Sequence, residues 1–146
     1  MPMKLVLAFA LVLLGVTTPV LAEKKIIQPK EFPTGAPFSP GVMVDGTLYV
    51  SGQIGRDLKT QKVPENFEAE VRQVLDNTGI ILREAKMNYA DVVSVQIYLT
   101  DMELFSRMNA IYTTYFKTDR PARTTVGVVK LAAPGARIEI AVTARH

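Results

Sequence analysis

An α+β fold, with two helices on one face of a mixed sheet, is predicted by three features of this 146-residue chain. Segments at 41–52, 91–100, 123–130 and 137–144 carry the alternation and β-branched density of strands, the first of them as a hairpin. Segments 66–86 and 102–116 instead repeat their apolar residues at three, four and seven, the spacing of one helix face. The resulting order, ββαβαββ, lacks the strict alternation of a doubly wound sheet and favours helices segregated to one side.

Residues 1–22 are set apart from that fold. Met1 to Lys4 is a short basic head, Leu5 to Val16 is apolar throughout, and Pro19 precedes the small-residue ending Val20-Leu21-Ala22, the pattern of a secretory signal peptide. An apolar helix of that length spans about 18 Å against a hydrocarbon core of about 30 Å. Cleavage after Ala22 and export, to a bacterial periplasm, are therefore expected rather than retention as an anchor. The chain has no cysteine, so an exported product must be held together by packing or by association.

The arm 23–40 contains Pro29, Pro33, Pro37 and Pro40, each fixing its own φ and turning the preceding residue away from helix, so it is read as extended. A single domain, 41–146, follows. Its opening hairpin turns at Asp45-Gly46, a pair suited to positive φ. Asn66 caps the first helix, whose stripe is Phe67, Val71, Val74, Leu75, Ile81 and Leu82. Asp91 to Thr100 is dense in β-branched residues and is expected to be central. The second helix aligns Leu104, Phe105, Met108, Ile111, Tyr112 and Tyr115, a core stripe. The last two strands are separated by a turn at Pro134-Gly135.

Alternation within those last strands assigns Val126, Val128, Ile138, Ile140 and Val142 to the helix-covered face. Arg123, Thr125, Gly127, Val129, Glu139, Ala141 and Thr143 are then expected together on the other face. That set is too apolar for a freely solvated surface, which points to contact with another subunit.

Arg123 and Glu139 are the candidate reactive pair. A guanidinium can hold a small carboxylate through two parallel hydrogen bonds, and a carboxylate can take a proton from water. Each also has an ordinary explanation, as a surface ion-pair partner and as the outward residue of an amphipathic strand. Other chemistry is poorly provided for. The single histidine is the terminal His146, there is no cysteine, and the glycines form no phosphate loop. Losing Lys4 with the signal leaves a net charge of +2, with no basic stripe for nucleic acid.

Several motifs together carry a resemblance. Ser51-Gly52-Gln53-Ile54, Leu75-Asp76-Asn77, Met108-Asn109-Ala110-Ile111-Tyr112, Pro121-Ala122-Arg123 and Ile138-Glu139-Ile140 closely resemble, in order and spacing, the RidA/YjgF family, over about Phe38 to Ala144. The resemblance implies a chorismate-mutase-like fold, a homotrimer, and hydrolytic deamination of reactive 2-imino and 2-enamino acids such as 2-iminopropanoate and 2-iminobutanoate, with no cofactor. It assigns Arg123 to the substrate carboxylate and Glu139 to water activation, with Ser51, Gly52 and Asn109 beside the substrate. Thr125 stands where many relatives have a cysteine, and Phe38 where the archetype has a tyrosine, so a thiol and a phenolic donor are both missing. A different class of function, an exported non-catalytic protein that binds small ligands or acts as a chaperone, fits the signal peptide.

Strand direction adds one expectation of its own. Arg123 begins its strand and Glu139 lies near the start of an oppositely directed one, an offset of some five residues or roughly 15 Å. One small substrate then needs Arg123 from one chain and Glu139 from a neighbour.

Overall fold

The computed structural model describes residues 23–146; the expected signal segment, 1–22, lies outside them. The described residues form β1 (Lys25–Ile27), β2 (Gly41–Val44), β3 (Thr47–Ile54), α1 (Phe67–Glu84), β4 (Val92–Leu99), α2 (Phe105–Tyr115), β5 (Ala122–Gly127) and β6 (Ile138–Arg145). The sheet order is β1-β2-β3-β6-β4-β5, antiparallel except for β4 and β5, which run parallel. The expected ββαβαββ order is present, with one strand more. Lys25–Ile27, in the arm, pairs with β2 and lengthens the sheet.

Local chemistry explains each element. Asp45 and Gly46 both adopt positive φ, 47° and 71°, as the tight β2–β3 turn requires. Asn66 accepts from the Ala69 amide at 2.8 Å and starts α1. A single 3₁₀ turn, Met102–Leu104, leads into α2 and occupies the start of the segment expected to be helical.

The core lies between the helices and one sheet face. Phe67, Leu75, Ile81 and Leu82 of α1 are fully buried with Leu48, Ile97, Leu99, Ile138 and Ile140, each such side chain contributing about 1.5–3 kcal/mol by leaving water. Two polar clamps then fix where α1 sits. Glu70, fully buried, accepts from the Arg137 amide and from Arg137 Nε, both at 2.7 Å, while Arg137 Nη2 donates to the Pro64 carbonyl at 2.9 Å. Asn77 Nδ2 donates to the carbonyls of Ile54 and Arg56 at 3.1 and 2.9 Å. The first clamp locates the start of β6, and the second the end of β3.

The face assignment of β5 is corrected. Its register with β4 pairs Val95 with Arg123, Ile97 with Thr125 and Leu99 with Gly127, and Val95, Ile97 and Leu99 face the helices. Arg123, Thr125 and Gly127 therefore share the helix side. Val126 pairs with Tyr98, which also pairs with Glu139, and lies on the open face, partly exposed. Regular pairing ends at Gly127, so Val128 lies beyond the strand expected to reach residue 130. The physical reason is position. As an edge strand, β5 meets the aromatic side of α2 rather than the aliphatic centre, and an arginine stem satisfies that environment as well as a valine would.

Candidate active site

Six of the seven expected site residues fall into two groups on opposite faces of the sheet, and Thr125 extends the first of them. At the head of β5, Arg123 Nη1 donates to Asn109 Oδ1 at 2.8 Å. Its guanidinium lies 4.7 Å from the Tyr112 ring centre and 5.7 Å from that of Phe105. Phe105, Asn109 and Tyr112 come together because four and three residues separate them on α2. No carboxylate pairs with Arg123 among the described residues. The guanidinium instead borders a shallow cleft of about 360 Å³ with Asn109, Tyr112, Thr113 and Arg120.

Two hydroxyls nearby are unsatisfied. Tyr112 Oη and Thr125 Oγ1 are buried without a hydrogen-bond partner. Burial pushes the Tyr112 phenol up, against the opposing pull of Arg123 and Arg120, so at neutral pH it is a donor in need of an acceptor. This end of the molecule is arranged for an anion. The sequence places Tyr112 in the core stripe and in the Met108–Tyr112 motif without giving it a role at the site; its place three residues after Asn109 is the signal that marks it.

The second group gathers where β3 meets β6. Val50 pairs with Val142 and Gln53 with Ile140, so Ser51 and Gly52 together oppose Ala141 as a bulge. Ser51 Oγ donates to the Ser39 carbonyl at 2.5 Å, and the Ser51 amide to the Pro40 carbonyl at 3.0 Å. These bonds hold the arm against the bulge and bring Phe38 to it. The Ser51 hydroxyl proton is thereby committed to the arm, leaving that oxygen only as an acceptor.

Gly52 is required by close approach. A Cβ there would lie 2.0 Å from Glu139 Oε1, so only glycine leaves that carboxylate its place. Glu139 is half-buried, and loss of water alone pushes its carboxyl above the ordinary value, with no cation beside it. Phe38, 59% exposed, shares with Gly52 a cavity of about 170 Å³.

The two groups do not meet within one chain. β4 lies between β5 and β6, and Arg123 and Glu139 stand level with Val95 and Tyr98 on it. That corrects the expected five-residue offset to three, about 10 Å along the strands, with two strand spacings of about 4.8 Å across. Their faces also differ, contrary to expectation, so the sheet itself separates them.

Comparison with known proteins agrees with this architecture. A family model described as Endoribonuclease L-PSP matches residues 29–146. The chain is 41% identical over 123 residues, 83% of its length and 98% of the relative's, to a RutC family protein of Aquifex aeolicus. It is 40% identical over 119 residues, 80% of its length and 87% of the relative's, to the 2-iminobutanoate/2-iminopropanoate deaminase of Mus musculus. The crystal structure of the YjgF gene product from E. coli superposes with a TM-score of 0.77 at 32% identity, covering 84% of this chain and 98% of that one. With the family model spanning nearly all the described residues, the fold shared and the signature segments in place, the chain belongs to the RidA/YjgF family.

Proposed function

We propose that this protein hydrolyses small 2-imino acids, among them 2-iminopropanoate and 2-iminobutanoate, to 2-keto acids and ammonia. The observation that carries the reading is Glu139. It is a carboxylate half-withdrawn from water, without a cation, beside a glycine that leaves it room. Such a group holds a proton more readily than an ordinary carboxylate, which suits a general base. Relatives named 2-iminobutanoate/2-iminopropanoate deaminase support the substrate class.

Arg123, steadied by Asn109 and stacked on Tyr112, holds the substrate carboxylate and so fixes the adjacent imine carbon. Water adds to that carbon as its proton passes to Glu139, forming a carbinolamine. Glu139 returns that proton to nitrogen, the carbinolamine hydroxyl gives its remaining proton to the departing nitrogen as its oxygen forms the C=O bond and the C–N bond breaks, and ammonia leaves with a 2-keto acid behind. Phe38 forms a wall. Because Arg123 and Glu139 lie on opposite faces, the reading places the site between subunits of a homotrimer, with each group from a different copy.

Ammonia release from freshly generated 2-iminopropanoate tests the reading. Wild type accelerates it above buffer, and Arg123→Ala reduces the acceleration by about 10²-fold or more with the oligomer intact. An unchanged rate in that variant rejects the assignment. Export after cleavage at Ala22 belongs to the same proposal, and a secreted product whose sequence begins at Glu23 supports it. The second reading, a non-catalytic ligand-binding trimer, is favoured by Phe38 standing in for a tyrosine. It requires ligand binding by wild type with no acceleration at all.

A further inference from the structure

The cavity beside Gly52 is larger than the substrates above need. Its volume of about 170 Å³ corresponds to roughly five or six water-sized groups, whereas 2-iminopropanoate would offer it one methyl group. Phe32, Pro33, Phe38 and Leu58 give it apolar walls.

Each side-chain amide nitrogen that lines it donates to a backbone carbonyl, and one cation stands apart. Gln53 Nε2 donates to the Ser51 carbonyl at 2.9 Å and Gln61 Nε2 to the Leu58 carbonyl at 2.8 Å. Asn77 donates to two carbonyls and accepts from Gln73 Nε2 at 2.9 Å. Arg56 is that cation. Its Nε is buried with no hydrogen-bond partner, and no carboxylate pairs with it among the described residues. Nε is closed off from solvent, so it is the outer Nη groups of this unpaired guanidinium that an anion entering the cavity would meet. The residue is also held in place, since Asn77 anchors its carbonyl at 2.9 Å.

We infer that Arg56 determines specificity for the substrate side chain, and that the protein prefers 2-imino acids bearing a second, distal carboxylate. This rests on the reaction occurring beside Glu139, which borders the same Gly52. A two-carbon chain ending in a carboxylate has five non-hydrogen atoms, the number the cavity holds. Its methylenes would lie between Phe38 and Leu58 while its carboxylate meets Arg56.

The test compares two stable keto acids, 2-oxoglutarate and 2-oxobutanoate, by isothermal titration calorimetry on the mature oligomer. Imines generated from glutamate and from alanine by an amino-acid oxidase are followed in parallel. Wild type binds 2-oxoglutarate at least about ten-fold more tightly. Arg56→Met brings the two affinities within about two-fold, and Arg56→Lys, which keeps the charge, restores part of the gap. Equal affinities in wild type, or a preference that survives Arg56→Met, overturn the inference. Hydrolysis of the alanine-derived imine without any 2-oxoglutarate preference defeats this inference alone. A preference that depends on Arg56, with neither imine hydrolysed faster than in buffer, defeats the deaminase reading and leaves the anion pocket standing.

Discussion

Glu70 and Glu139 contrast two ways of burying a carboxylate in one small domain. Glu70 is fully buried and closed, its oxygens taken by the Arg137 amide and guanidinium, and that network ties α1 to β6. Glu139 is half-buried and open, with a glycine beside it and no cation. Arg123 is its counterpart, a cation with an amide and two aromatic rings but no carboxylate. Where a charge serves the fold, the chain completes it. Glu139 and Arg123 are left incomplete, and a substrate can supply the missing partner of each; the desolvation of Glu139 is borne by the rest of the structure.

Truncation separates the two roles. Glu70→Ala leaves Arg137 half-buried without its acceptor and is expected to cost about 3 kcal/mol in denaturant unfolding. Glu139→Ala is expected to shift the same transition by less than about 0.5 kcal/mol while removing turnover. Equal destabilisation by both would make Glu139 a structural residue like Glu70.

Gly52→Ala gives a smaller effect on the open side alone. The added methyl overlaps the Glu139 carboxylate and turns it away, so a fall in kcat of about ten-fold is expected, with KM for 2-iminopropanoate less affected because Arg123 is distant. Wild-type kcat in this variant would show that the carboxylate position is unimportant.

The smallest expected effect is on pH dependence. Burial raises the Glu139 carboxyl above its ordinary value of about 4.3, and the base must be ionised, so the rate should rise with pH along a limb centred above that value. The linkage sign is the opposite. A carboxyl raised in the folded state favours folding while protonated, and this contribution is lost as pH rises through the folded value. A rate limb at or below the ordinary value would remove desolvation from the explanation.

Much of the architecture is legible in the sequence because each signal is local. Asp45-Gly46 specifies its turn, Asn66 its cap, and the α1 stripe its buried face. What is not legible depends on neighbours. Alternation along β5 identifies two faces but not which one meets α2, and at an edge beside Phe105 and Tyr112 the polar face turned inward. Nor does alternation reveal that β4 separates β5 from β6. The Ser51-Gly52 bulge adds one residue to β3 and breaks the period where Glu139 needs space. Strand β1 is only three residues long and borrows its pairing from β2, while Arg56 gains meaning only from the cavity that leaves it unpaired.

Mixing two inactive variants tests the shared site most directly. Arg123→Ala and Glu139→Ala are each prepared as inactive oligomers, then denatured together at equal concentrations, refolded and assayed with 2-iminopropanoate. If every site draws Arg123 from one chain and Glu139 from the next, random assortment leaves roughly one site in four with both residues. Activity should recover to about a quarter of wild type; a mixture as inactive as its two components would contradict the shared site.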